Sequence, residues 1–539
     1  MPSHYSNAEE SESLVDRNQL NEAEDSCMGR FFSPRVVLGL FTLVNFITYY
    51  DRGVMSSSLS SIRSDSSIAG DGGTISDTKG GFIVSAFMIG FMLTCPLFAA
   101  LGGTFTAKRI IIAGLLVWAG ACVMSGFSHG YAMLLIARMF VGVGEAAFAG
   151  YAVTIIDNIA PKESRTRWIG TFYSMIPVGT AIGMAGGGVI STDGGVGSIA
   201  GWRVAFFTEV VAAAPIILMV GLLPNKYNPV KIEKREDTPA APQQHDDAGY
   251  IGIIPASKAL ITNIRFVLVV FGYGMYVFVT GAIAVWAISM LTEGPLNLST
   301  VPASLLMGGA TAITGVFGSI AGGLFVDRMG GSQGLHGTMK CQLFSVGMMV
   351  ISVPCGLVAL TADSLWLFVI FFVISVFSLF AVTAPVNASI LTVVPTNLRT
   401  YAISYSVFAI HLMGDFPSPT VAGSLSDKFS HGCPNYNSNV TCTSVPDENC
   451  RWVPPKDHEV GSCVNIYQLR NALAIVYCFL LFAIPAWLVV YVLVRREYRQ
   501  TLSAATLGGG EGEGDYGYNN CVLLSAIRHP CMARGVCPG

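Results

Sequence analysis

The chain has 539 residues, 52% of them hydrophobic and only 12% charged, whereas soluble domains carry roughly 25% charged residues. That composition excludes a soluble globular domain and describes an all-α polytopic membrane protein. The net charge of −3, with basic residues spread over short loops and no single basic patch, argues against a nucleic-acid partner.

Residues 1–35 are polar and acidic (EESESLVDRNQLNEAEDS). They lack the basic start, apolar run and small-residue cleavage site of a signal peptide, so the sequence predicts a cytosolic N-terminal tail. Apolar runs of spanning length then follow near 36–60, 79–101, 109–128, 131–157, 168–191 and 201–223, making a first six-helix bundle over 36–223. The linker at 224–263 contains NPVKIEKREDTPAAPQQHDDAG, whose charge and proline content suit water and not hydrocarbon. A second bundle over 264–494 has spans near 264–291, 301–326, 340–361, 365–393, 400–426 and 467–494. A tail at 495–539 opens with Arg495, Arg496 and Arg499.

Twelve spans return the C-terminus to the cytosol, and loop chemistry agrees with that topology. Lys108, Arg109, Lys162, Arg165, Arg167, Lys231, Arg328 and Arg399 all fall on the cytosolic side. The loop at 427–466 then lies outside. It carries Cys433, Cys442, Cys450 and Cys463 and the sequon Asn439-Val440-Thr441, which predicts two disulfides, of three possible connectivities, and glycosylation of Asn439. Unpaired loop thiols are the alternative, and zinc is disfavoured because no CxxC pair is present.

The halves repeat one another: Pro161-x-x-x-Arg165-Thr166 after the fourth span recurs as Pro395-x-x-x-Arg399-Thr400 after the tenth. Two six-span repeats with charges near the midplane indicate a secondary transporter of alternating-access type. Gly179, Gly183 and Gly187, like Gly318 and Gly322, recur every four residues and allow close helix approach, either at a moving interface or in static packing.

Charges inside apolar spans are expensive and seldom idle. Arg138 and Glu145 lie seven residues apart on one face of the fourth span. Asp51, roughly 20–25 Å along the first span, comes within their reach. The sequence therefore predicts two carboxylates, Asp51 and Glu145, competing for Arg138 in a proton-dependent switch; a permanent ion pair joining the two helices is the alternative. Arg52 points about 100° away from Asp51, toward the cavity or toward the outer headgroups.

In the seventh span Thr280 and Trp286 are candidates to line a substrate cavity, with Trp286 equally suited to packing. In the eleventh, His411 and Asp415 share a face ahead of Pro417 and Pro419, which break the helix and expose backbone at a binding site. His411 is either a titrating group or a hydrogen-bonded structural histidine. No P-loop, GxSxG or HExxH motif is present, so ATP-driven transport and hydrolysis lack their parts, and no cofactor or metal is expected. In the tail, Cys521, Cys531 and Cys537 are read as free thiols in preference to palmitoylation sites.

The eighth span ends Gly323-Leu-Phe-Val-Asp327-Arg328-Met-Gly330, which resembles the G-x-x-x-D-R-x-G signature of the major facilitator superfamily. The resemblance implies the major facilitator fold, twelve helices in two six-helix bundles. It also implies a cytoplasmic gate built from Gly323, Asp327 and Arg328 with Arg165 and Arg399. The matching first-half loop departs from the pattern, with Ala100 and Thr104 in place of Gly and Asp. Five stretches resemble the Spinster family within it: Tyr49-Tyr50-Asp51-Arg52, Gly142-Val-Gly-Glu145-Ala146, Phe172-Tyr-Ser-Met-Ile-Pro177-Val-Gly179, Phe278-Val-Thr280-Gly281-Ala282 and His411-Leu-Met-Gly414-Asp415-x-x-Ser418-Pro419.

That resemblance implies a transporter of a single-chain lipid, a lysophospholipid or sphingoid phosphate, coupled to protons through Asp51, Arg138 and Glu145. A small organic anion or drug exporter, and a non-transporting receptor or scaffold, are the alternatives. The protein is expected to be a monomer among membrane lipids, in a lysosome-like vesicle or the plasma membrane.

Overall fold

The computed structural model describes residues 31–70, 74–101, 105–161, 165–224, 227, 253–332, 334–395, 398–430, 433, 449–453 and 462–507. Ser33 starts the first helix, α1 (Pro34–Ser64). Its Oγ accepts the Val36 N–H at 3.5 Å, and Pro34 fills the first turn, where no N–H is needed. Next come α2 (Asp77–Leu101), α3 (Ala107–Gly126), α4 (Tyr131–Ile159), α5 (Arg165–Asp193) and α6 (Gly201–Gly221).

A short helix, Ile253–Thr262, leads to Asn263. The Asn263 side chain accepts the Arg265 and Phe266 N–H groups at 3.1 and 3.3 Å and so caps α7 (Ile264–Glu293). Then follow α8 (Thr300–Arg328), α9 (Gly334–Thr361) and α10 (Leu365–Thr392). The chain turns out of α8 through Gly330 and Gly331, at φ +99° and +84°, which other residues adopt only under strain.

The eleventh span is broken as its prolines dictate, into α11 (Arg399–Met413) and α12 (Ser418–Phe429). An antiparallel hairpin, β1 (Cys450–Val453) and β2 (Ser462–Asn465), with Cys450 opposite Asn465, precedes the last span, α13 (Gln468–Tyr477) and α14 (Leu480–Leu507). That last helix runs past the expected end at 494. Its polar extension is fastened by an ion pair between Glu497 and Arg265 of α7.

Among the described residues ten helical stretches are long and apolar enough to cross a membrane. The serine-rich α1, carrying Asp51 and Arg52, and the broken α11–α12 complete twelve spans. The chain is an integral, multi-pass membrane protein. Arg451 of the hairpin donates to the Gly294 carbonyl at 2.6 Å, which seats the hairpin on the end of α7. That side of the bundle is the hairpin end, and the side carrying Arg328 is the opposite end.

The glycine rows pack within each half and not between halves. A Cβ on Gly183 would lie 2.1 Å from the Tyr50 carbonyl oxygen, so α5 can lie against α1 only because that Cβ is missing. Gly318 and Gly322 meet α10 in the same way. These rows therefore pack helices inside one bundle. Contact between the halves along α5 and α8 uses other positions, Gly308 on Ala181 and Gly315 on Pro177.

Cys433 and Cys450 are joined in a disulfide, with Cα atoms 5.6 Å apart, and Cys463 is also disulfide-bonded. Cys442, Asn439, Thr104, Lys162 and the tail cysteines lie outside the described residues, as do the side chains of Arg165 and Arg167.

Candidate functional site

Asp51 and Arg52 are neighbours in the middle of α1, and the helical advance sends them to different sides. Asp51 turns away from the second bundle toward α4. There Arg138 donates from Nη1 to Oδ1 at 2.8 Å and from Nη2 to Oδ2 at 2.6 Å, a bidentate pair with both residues 1% exposed. The guanidinium also lies over the Phe206 ring of α6, 5.6 Å from its centroid. Two parallel charge-assisted bonds offset part of the cost of desolvating both ions.

Arg52 turns the other way, toward the second bundle. Its guanidinium lies between Tyr49 and Phe87, 4.5 and 4.6 Å from the ring centroids, and it is paired with Glu145 of α4. This corrects the expectation of one arginine shared by two carboxylates. Asp51 and Glu145 each have their own cation, and Glu145 belongs to Arg52. The rotational setting of α1, fixed by its contact with α5, decides the partners.

A cavity of about 240 Å³ lies between the bundles in front of Arg52. Tyr49, Phe87, Pro177, Thr280, Phe380 and Asp415 line it, together with one edge of Arg138. Thr280 is thus placed on the cavity wall, its hydroxyl donating to the Tyr276 carbonyl at 3.1 Å. Asp415 sits in the break between α11 and α12, paired at 2.9 Å with His411 Nδ1.

Two candidates fall elsewhere. His411 is outside the cavity lining and acts on it only by holding Asp415; its ring meets Phe91 edge-on at 6.0 Å. Trp286 is wholly buried near the hairpin end, because its Nε1 donates to the Pro419 carbonyl at 2.8 Å and its ring lies under Arg63.

The sequence reading passes over a network that closes the cavity at the hairpin end. Arg63 of α1 pairs with Asp77 of α2 and, at 3.2 Å, with Glu293 of α7. Ser60 donates to Glu293 at 2.9 Å. Asp427 at the end of α12 accepts the Asp77 and Thr78 N–H groups, each at 2.9 Å, and so caps α2 from the other bundle.

The opposite end differs. Asp327 and Arg328 are exposed and join no ion pair among the described residues. Gly323 has no neighbour within 4 Å of where its Cβ would stand, and Arg399 Nε donates to the Leu391 carbonyl in its own half. Gly323, Asp327, Arg328 and Arg399 are therefore not brought together among the described residues, and the side chain of Arg165 lies outside them.

Glu209 of α6 is a second omission, although a carboxylate inside an apolar span is the same signal that singles out Glu145. It is 1% exposed, and neither carboxylate oxygen has a partner within ordinary hydrogen-bond geometry, although the Asp51 carboxyl and the Cys122 thiol lie close enough to interact with it. One ligand atom each from Asp51, Cys122 and Glu209 falls within 4.8 Å of the others. That spacing would admit a metal ion, but Arg138 already holds both Asp51 oxygens and its charge would face the ion, so the set does not fit a cation site.

A model of the Major Facilitator Superfamily matches residues 41–416. The chain is 30% identical over 418 residues to a probable sphingolipid transporter, spinster homolog 2 of Arabidopsis thaliana, covering 74% of this chain and 82% of the relative. It is 27% identical over 422 residues to protein spinster homolog 1 of Homo sapiens, covering 74% of each. Among solved structures, a bacterial homolog of the human lysosomal transporter Spinster, inward-facing and unoccupied, matches with a TM-score of 0.68 at 17% identity. That match covers 86% of this chain and 98% of the other. The nucleoside transporter NupG matches at 0.58 and 10% identity, covering 84% and 99%. These two structures speak for the fold alone.

Proposed function

The chain belongs to the Spinster family of the major facilitator superfamily, and from that premise we propose that it moves a single-chain lipid, a lysophospholipid or sphingoid phosphate, coupled to protons by alternating access. The carrying observation is Arg52: a guanidinium on the wall of an otherwise largely apolar cavity, held by a carboxylate that an anionic headgroup can replace. At about 240 Å³, below the roughly 300–1,000 Å³ of whole-ligand pockets, the cavity receives the headgroup. The acyl chain leaves it toward the opposite end, where Asp327 and Arg328 join no ion pair among the described residues. The arrangement corresponds to the state closed at the hairpin end and open at the other.

In this reading the hairpin faces the lumen or the extracellular space, as its disulfide requires, and both termini are cytosolic. Two ion pairs meet on adjacent residues of α1. Headgroup binding frees Glu145 from Arg52 on the cavity side, while protonation of Asp51 loosens Arg138 behind it, so that α1 reports each event to the other. The housing membrane is a lysosome-like vesicle or the plasma membrane.

The test is flux of a labelled lysophospholipid and of a sphingoid phosphate in sealed liposomes, with and without an imposed pH gradient at matched internal pH. The gradient is expected to accelerate wild-type flux. Asp51→Asn, which removes a charge at nearly constant volume, is expected to bind substrate and lose the acceleration. Indifference of the wild type to the gradient overturns proton coupling. The cavity volume also suits a small organic anion, and flux of such anions without lipid flux would favour that exporter.

A further inference from the structure

Among the described residues, two guanidinium groups and three carboxyl groups stand at or behind the middle of α1, and they do not balance. Arg52 and Arg138 supply two positive charges, while Asp51, Glu145 and Glu209 supply three carboxyl groups. Two of the three are accounted for by ion pairs, Asp51 with Arg138 and Glu145 with Arg52. Glu209 is left over, 1% exposed and without a cation of its own, its polar neighbours being the Asp51 carboxyl and the Cys122 thiol. A carboxylate buried without a cation is strongly penalised, and the penalty is avoided when the group is neutral.

We propose that Glu209 is a proton-holding residue of this transporter: it stays a neutral carboxylic acid while Asp51 is ionised against Arg138, and the two exchange roles when that pair opens.

Its surroundings fit both forms. Elements packed against α6 bring Asp51 and Tyr50 from α1, Cys122 from α3 and, across the cluster, Arg138 from α4. The third packed helix, α5, adds no acid, base or thiol there; Tyr173 and Asp193, its described titratable side chains, lie toward its ends. Two carboxyl groups within 4.8 Å in a dry environment do not both ionise against one arginine. When Arg138 leaves Asp51, the O–H bond of Glu209 breaks and one to Asp51 forms, and Glu209 becomes the carboxylate that Arg138 meets. The proton moves within the cluster, and no other reactant is needed. The cluster lies behind α1 as seen from the cavity, so proton and headgroup occupy separate places.

The use of this proton rests on the coupled-transport reading; its presence does not. The deciding experiment is therefore spectroscopic. Infrared spectra of the purified full-length protein near neutral pH are expected to contain a carboxylic-acid C=O band that Glu209→Gln removes. Asp51→Asn is expected to remove the same band, because Glu209 then ionises against Arg138, an effect that a purely structural glutamate would not show. Absence of the band in the wild type, or its survival in either variant, overturns the proposal. Should Glu209→Gln fail to fold, Asp51→Asn alone decides. In liposomes the gradient-driven part of the flux is expected to fall about tenfold in Glu209→Gln. A wild type without any gradient-driven flux would sink the coupling while leaving the band, and the residue that holds the proton, in place.

Discussion

Among the described residues, every charged side chain that is buried belongs to the first half of the chain: Asp51, Arg63, Asp65, Asp77, Arg138, Glu145, Arg203 and Glu209. The second six spans bury hydroxyls and amides. Ser352, Ser375 and Tyr477 share a hydrogen-bonded cluster between α9, α10 and α13, and Ser345, Ser378 and Ser389 return their hydroxyls to carbonyls of their own helices. A hydroxyl satisfied within its own helix costs little to bury, whereas a charge needs a partner on another helix. One half is thus held by buried charge pairs between helices, and the other, in its interior, by hydroxyl contacts. The repeat has kept one shape and divided the labour.

The sharpest way to break that contrast is Arg138→Ala. It leaves Asp51 and Glu209 as two buried carboxyls without a cation, at an expected cost of about 3–5 kcal/mol in stability and the loss of flux. Thermal unfolding of the purified protein and liposome flux measure both. An unchanged melting temperature with near-normal flux would show that the charges of the first half are idle.

An intermediate effect is expected from Asp77→Asn, which removes the carboxylate facing Arg63 but keeps the Asp427 cap. Opening at the hairpin end should become about tenfold more populated. Spin labels replacing Ser61 and Thr292 would read this as a longer distance population, and an unaltered distribution would place the closing energy elsewhere.

The smallest effect belongs to the second half. Ser375→Ala removes one member of the hydroxyl cluster and is expected to cost about 1–2 kcal/mol of stability while leaving flux per folded molecule unchanged. A loss of flux as deep as that of Arg138→Ala would end the distinction between the halves.

The spans, the repeat and the broken eleventh helix were legible in the sequence because length, hydropathy and proline act locally. The proximity of Asp51 to Arg138 was legible as well, since depth along a span follows from counting residues. The partner of Glu145 was not. Whether Asp51 or Arg52 faces it depends on the rotation of α1, which is set by the approach of Gly183 to Tyr50, a contact between distant parts of the chain. The Arg63, Asp77 and Glu293 network escaped for a different reason. Charges at span ends are the ordinary condition of a membrane protein, so composition there does not distinguish a lock from a snorkelling side chain. Glu209 had no such excuse, because an acid inside AFFTEVVAA carries the same signal as Glu145.

The break at Gly414 to Pro417 divides the eleventh span between two mechanical bodies. Above it, α12 is riveted to the first bundle: Asp427 caps α2, and Thr420 and Ser85 share a hydrogen bond of 3.1 Å. Below it, α11 is tied through Tyr405 to Ser257, in the short helix at the end of the segment that links the two halves. The span is therefore an elbow with its upper arm clamped and its forearm attached to the tether. The short helix ahead of α7 thus bears on the arm that ends at the joint, where Asp415 borders the cavity.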